Sequence, residues 1–244
     1  MPERRANNVP AVLMKQHSAV SIVLTRTNYG EADRIITVLT KDSGKIRLVA
    51  KGVRKIRSKL AGGIELFSTN DIMYLPGKGG LGTLVSSRLR KNYGSIVKNI
   101  DRTMYAYDAL KMIHKITEDS PEPEYFILLE HMLAALNDET IALDVIKTWF
   151  HLQLLKLGGH TPNLMTDTED HKLSADERYG FSFDNMSFVK QSSGPFGQHH
   201  ITYLRLGITF ETAKKLSQVS VAPEILTPLV QLTRTMLERH SRVM

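Results

Sequence analysis

Residues 30–59 read GEADRIITVLTKDSGKIRLVAKGVRKIRSK, and this stretch decides the architecture. Arg34 to Lys41 alternates with the two-residue period of a β-strand, Ile36 and Val38 on one side, Ile35, Thr37 and Leu39 on the other. Ser43-Gly44 supplies a turn. Lys45 to Val53 alternates again, with Ile46, Leu48 and Ala50 inward and Lys45, Arg47, Val49 and Lys51 outward. The chain then runs into a loop dense with cations. From Lys45 to Lys59 it carries seven Lys or Arg residues and no carboxylate. A segment of that balance suits an anionic partner.

Working outward, three more strand-like stretches flank this pair. Ser18 to Thr27 is rich in β-branched residues, Glu65 to Leu75 follows the cationic loop, and Leu81 to Tyr93 sets Leu84 and Leu89 among Ser86, Arg88 and Arg90. Five short strands with frequent turns predict a small barrel. A five-stranded Greek-key barrel of this size is the oligonucleotide-binding (OB) fold, which holds single strands on its strand 2–3 face and flanking loops; an SH3-like barrel would read similarly. Gly77-Lys78-Gly79-Gly80-Leu81-Gly82 matches G-x-G-x-x-G, but strand-like Thr83 to Ser86 follows where a dinucleotide site needs a helix. The stretch is read as a hairpin connection from which Lys78 could reach a phosphate.

After Ser95 the apolar period changes to that of helices. Tyr105, Ala109, Met112, Ile113 and Ile116 share one face, and Ser120-Pro121-Glu122-Pro123 stops the helix. Tyr125 to Leu136 repeats the spacing, and a third helix spans Thr140 to Leu157, ended by Gly158-Gly159 with Pro162 beyond. Residues 160–200 are polar and broken, with one strand-like piece from Gly180 to Val189. Short helices are expected at Ile201–Leu206 and Thr209–Leu216, then a last one from Pro223 to about Arg239. The expected fold class is therefore α+β. A loose tail covers 1–14, an OB barrel 15–94, and a helical domain 95–244 with an irregular insert at 160–200.

Charge divides along the same boundary. Residues 1–100 hold 18 Lys and Arg against 6 acids, whereas 101–244 hold 14 against 19. A basic head and an acidic remainder fit a polyanion binder. The chain has no cysteine, which excludes disulfides and thiolate metal sites and suits a reducing cytosol. Its amino-terminal stretch lacks the apolar core of a signal peptide, and no run reaches the ~20 apolar residues of a membrane span. A cytoplasmic protein without a membrane partner is expected. No P-loop, H-E-x-x-H or nucleophile elbow occurs, so neither enzyme activity nor a cofactor is expected. His160, His171, His199 and His200, with Asp167, Glu169 and Asp170, have no fixed metal-ligand spacing and are read as a solvated loop rather than a metal site.

Gly30-Glu31-Ala32-Asp33-Arg34, then Thr40 to Lys45, Ala50 to Lys55 and Ser58-Lys59-Leu60, resemble the RecO family of bacterial recombination mediators in order and spacing. The resemblance extends through Leu157-Gly158-Gly159-His160-Thr161-Pro162 to the closing helices. It implies an OB barrel on a helical domain that binds single- and double-stranded DNA and anneals complementary strands. It also implies work with RecR and the single-stranded DNA-binding protein to load RecA. Many members carry a four-cysteine zinc module where residues 163–197 lie. With every cysteine missing here, zinc is not expected, and packing through Phe181, Phe183 and Phe188 should hold the insert.

Phosphates are expected along Arg26, Arg34, Lys45, Arg47, Lys51, Arg54, Lys55, Arg57, Lys59, Arg88, Arg90 and Lys91, with Arg34 alternatively paired to Glu31 or Asp33. Tyr29, Phe67, Tyr74 and Tyr93 are the barrel's candidate stacking platforms. Lys147 and Lys156, or Lys214 and Lys215, are candidates to receive the acidic tail of the single-stranded DNA-binding protein. An RNA-binding barrel and a non-catalytic scaffold for an acidic partner are the competing classes.

Overall fold

The computed structural model describes residues 15–117 and 122–240. The tail expected over 1–14 and the break at Ser120-Pro121 lie outside those residues. Five strands, β1 (His17–Tyr29), β2 (Asp33–Thr40), β3 (Gly44–Ala50), β4 (Ser68–Leu75) and β5 (Leu81–Asn92), close into a barrel in the order β1-β2-β3-β5-β4. Neighbours pair antiparallel except at the β3–β5 seam, which is parallel and sets Leu48 against Gly82. This is the five-stranded OB-fold arrangement anticipated above.

The alternation read in β2 and β3 is realised, and both faces of β2 are covered. Ile36 and Val38 point into the barrel with Val23, Leu48, Ala50, Ile72 and Leu84. Leu39, on the opposite face, joins a second core with Ile22, Leu24, Phe67 and Tyr93 and with the helices. A bulge in β1 between Val23 and Thr25 helps place adjacent residues in different cores. Burying a Leu or Ile side chain contributes about 1.5–3 kcal/mol, so the outer face of β1–β2 fastens the barrel to the bundle. In β5, Leu84 is buried but Leu89, an odd number of residues away, is exposed, and register shifts at Thr69/Asn70 and Met73/Tyr74 interrupt the β4–β5 ladder. The glycine-rich stretch is the β4–β5 hairpin connection, and no helix follows it.

The bundle comprises α1 (Ile100–Ile116), α2 (Pro123–Asn137), α3 (Leu143–Leu157), α4 (Gln198–Thr209), α5 (Ala213–Leu216) and α6 (Pro223–His240). Asn99 caps α1 by accepting from the Arg102 amide. The Arg102 side chain is itself buried. Its guanidinium donates to the carbonyls of Leu136, Asp138, Glu139 and Ile141, binding α1 to the α2–α3 turn. Trp149 fills the centre of α3, and its Nε1 donates to the Phe210 carbonyl at 2.9 Å.

The segment expected to be irregular carries a three-stranded sheet, β6 (Asn163–Asp167), β7 (Tyr179–Ser182) and β8 (Ser187–Lys190), in the order β6-β8-β7. Its rings pack edge to face. Phe181 lies 5.2 Å from both Phe183 and Phe188, and Phe188 lies 5.8 Å from Phe196. The packing expected through Phe181, Phe183 and Phe188 is thus present, with Tyr179 and Phe196 added to it.

Candidate nucleic-acid interface

Gly44 begins β3 at φ 69°, a left-handed conformation that favours glycine. The Thr40 hydroxyl steadies this turn by donating to the Gly44 carbonyl at 2.7 Å. From there β3 runs along the barrel, and the chain leaves it at Ala50 as a long connection to β4. Val53 and Ile64 turn inward and complete the barrel core, with Leu60, Ala61 and Leu66 half-buried against it. The connection is therefore a plug as well as a loop, and its cations are what is left facing outward.

Three bonds fix it against the β1–β2 turn. The Gly52 amide donates to Asp33 Oδ1 at 2.7 Å, the Arg54 amide to the Ala32 carbonyl at 2.9 Å, and the Arg54 guanidinium to the Gly30 carbonyl at 3.5 Å. Gly52 sits at φ 63°. Lys51, Arg54, Lys55, Arg57 and Lys59 are exposed. Among the described residues no acid lies within ion-pair distance of any of them; the barrel's ion pairs are Arg26–Glu65 and Arg90–Asp71. Arg34 stands at the same end of the barrel and donates to Asn28 Oδ1 at 3.2 Å, rather than to Glu31 or Asp33. Arg47 is exposed on β3, opposite Thr37. The structure thus gathers Arg34, Lys51, Arg54, Lys55, Arg57 and Lys59 about one end of the barrel, with Arg47 on the adjoining strand.

The remaining barrel cations part company with this group. Lys45 is not on the cationic surface: its ammonium donates to the carbonyls of His114 at 3.1 Å and Thr117 at 2.6 Å, at the C-terminus of α1. Outward from the barrel at this position means toward the bundle. Arg26 is held by Glu65 at 2.7 Å. Arg88 lies on the β1-β4-β5 face in a cleft shared with Asp42 and Asp71, and Arg90 approaches Asp71 at 3.8 Å. The Lys91 ammonium sits 5.0 Å from the Tyr93 ring centre.

Three of the four aromatic platforms are corrected. Tyr93, Phe67 and Tyr74 are buried, because Phe67 and Tyr93 fill the barrel–bundle core and Tyr74 the barrel interior. Only Tyr29 of the four is open, at 55% exposure. Ile56, between Lys55 and Arg57, is fully exposed at 104%, a position that no periodicity marks in the sequence.

The four partner-binding candidates all have local partners. Lys147 approaches Asp144 and the Tyr105 ring, Lys156 donates to the Ile208 carbonyl, Lys214 pairs with Asp138 at 3.5 Å and Lys215 with Glu211 at 3.1 Å. Lys214 and its ion-pair partner Asp138 also line a cleft of about 240 Å³ with His131, Ala134, Ala135, Ile141 and Thr212. A neighbouring groove over Trp149 carries Glu124 and Glu211. In the insert, Asp167 Oδ1 accepts from the amides of Glu169 and His171. No three His, Asp or Glu side chains converge on a metal position among the described residues. No described helix is long and apolar enough to cross a membrane.

Two family descriptions match the chain: "Recombination protein O N terminal" over residues 14–93, and "Recombination protein O C terminal" over residues 97–243. Similar curated proteins carry the name DNA repair protein RecO. That of Halalkalibacterium halodurans is 27% identical over 232 residues, covering 92% of this chain and 90% of the relative. That of Rubrobacter xylanophilus is 31% identical over 62% of this chain, and that of Dehalococcoides mccartyi 33% over 65%. These two matches span 60% and 63% of the relatives' own lengths.

Proposed function

Because the chain belongs to the RecO family, we propose that it is a recombination mediator that grips the sugar-phosphate backbones of single- and double-stranded DNA and anneals complementary strands. The observation that carries this reading is the plug loop. Its five exposed cations stand beside Arg34 at one end of an OB barrel, with Arg47 on the adjoining strand, and among the described residues no acid lies within ion-pair reach of the five. Contacts of that kind hold phosphates and carry no sequence information. The scarcity of accessible rings points the same way, since base stacking has little to work with. A strand whose charge is screened while its bases stay open is ready to meet its complement. Lys45 and Arg26 drop from the phosphate path; Arg88, Arg90 and Lys91 remain a secondary, partly neutralised flank.

The finer reading follows the family. RecR, the single-stranded DNA-binding protein and, indirectly, RecA are the partners. Of the clefts near the candidate lysines, that of Lys214 best suits an acidic, amphipathic tail, since apolar Ala134, Ala135 and Ile141 lie beside a cation, whose ion pair with Asp138 a carboxylate of the tail would replace. The groove next to it is lined by Glu124 and Glu211 and by no lysine or arginine. We read the chain as a binding protein of the cytoplasm, without catalysis.

Annealing of complementary oligonucleotides tests the proposal. The triple charge reversal Arg54→Glu, Lys55→Glu, Arg57→Glu should abolish annealing at moderate salt while leaving the thermal midpoint in place. With about six phosphates neutralised, the log affinity of the unaltered protein for single strands should fall with log salt at a slope near −4. A slope near zero, or unimpaired annealing by the triple variant, would remove the reading. RNA that competes on equal terms would shift the assignment to an RNA-binding barrel.

A further inference from the structure

Ile56 is the crest of the plug loop, and the chemistry around it is one-sided. The segment Arg54-Lys55-Ile56-Arg57-Ser58-Lys59 places one branched aliphatic side chain among four cations. Lone exposed apolar residues are common on protein surfaces, so exposure alone would mean little. Here the same loop has apolar positions that it does bury: Val53 and Ile64 are sunk in the barrel core and Leu60 packs against it. The loop is also pinned on its N-terminal side by the bonds from Gly52 and Arg54 to the β1–β2 turn. Local turns continue the order, with the Lys55 amide bonded to the Gly52 carbonyl and the Ser58 amide to the Lys55 carbonyl. Ile56 is therefore presented outward, at 104% exposure, from a braced loop.

We infer that Ile56 is a wedge that enters between adjacent bases of a bound single strand while Arg54, Lys55, Arg57 and Lys59 hold the phosphates on either side. Apolar side chains unstack base steps in this manner where cations anchor the backbone. A step held open would remove local stacking that otherwise slows pairing with a complement. The inference rests on the DNA-binding reading above and adds to it a base-directed contact. An anionic lipid surface would also attract cations around an apolar residue, but interfacial binding draws on a broad apolar face. Ile56 stands alone on its loop, and relatives of this chain are DNA repair proteins.

The full chain is titrated with a single strand carrying 2-aminopurine at successive positions. Binding should brighten the probe at one step, reporting unstacking. The Ile56→Ser variant should bind about tenfold more weakly, which is 1.4 kcal/mol, with an unchanged salt slope and no brightening, whereas Ile56→Leu should restore both. Binding with a normal salt slope in which Ile56→Ser changes neither affinity nor fluorescence overturns the wedge but leaves the phosphate grip standing. Absence of salt-dependent binding by the unaltered protein overturns both. If Ile56→Ser loses sedimentation with phosphatidylserine vesicles but keeps its DNA behaviour, the wedge is likewise overturned and the residue belongs to a lipid contact.

Discussion

Lys45 and His151 show how much a single side chain depends on what folds over it. Alternation puts Lys45 on the same outward side as Arg47, yet its ammonium ends on the last carbonyls of α1, where a cation also offsets the helix dipole. Lys45→Met should therefore cost about 1–3 kcal/mol of stability, read by urea denaturation, and change DNA affinity less than twofold. His151 lies buried in α3, with Nδ1 beside the Thr233 hydroxyl at 3.1 Å and no partner for Nε2. Burial, with Arg234 and Lys147 nearby, lowers its pKa from 6.5 to about 3. Below pH 6.5 the unfolded chain takes up a proton that the folded chain refuses. Stability should thus fall by about 1.4 kcal/mol per pH unit on acidification through that window. His200, also lowered by burial, acts in the same direction. Free energies of unfolding at pH 7 and pH 5 check this, and His151→Gln should flatten the difference. Neither role was legible in the sequence. A lysine that caps a helix and a lysine that waits for a phosphate look alike until the helix is placed, and the four-carbonyl grip of Arg102 joins positions far apart in the chain.

Elements were legible where period and turn chemistry agreed. β2, β3 and the cationic loop stand where Ile36, Val38, Leu48 and Gly44 put them, because a strand with one face inside a barrel must alternate. The insert was legible only in the strand-like Gly180 to Val189, which folds as β7 and β8; β6 pairs with β8 in parallel through a broken register, and β8 buries the adjacent Ser187 and Phe188. The insert's order comes from ring packing around Phe188. The plug loop is the element on which the proposed activity turns, and Asp33 is its tether. Asp33→Ala leaves the Gly52 amide without that acceptor. Limited trypsin digestion should then cut at Arg54, Lys55 or Arg57 several-fold faster than in the unaltered chain, with the helices still protected. Equal cutting rates would show that the tether is dispensable.

At the scale of the molecule, one apolar core crosses from the outer face of β1–β2 into the bundle. Barrel and helices should accordingly unfold in a single calorimetric transition. Leu39→Ala, which cuts into that shared core, should lower stability by about 2–4 kcal/mol and reduce the midpoint without splitting the transition. Two resolved transitions would mean that the interface is too weak to couple them. This sharing was hidden in the sequence because Leu39 alternates as any outward strand residue does, and only the neighbour decides whether outward means water or another layer. The loop that plugs the barrel bears on tempo as well. Val53 and Ile64 are corks for the same piece of chain that carries the cations, so the gripping surface cannot swing away without uncorking the fold. Strand capture should then proceed in one kinetic phase whose stopped-flow rate rises linearly with DNA concentration and does not level off. Release should need no prior opening of the loop, letting the protein hand a strand on faster as salt or a competing polyanion loosens the phosphate grip.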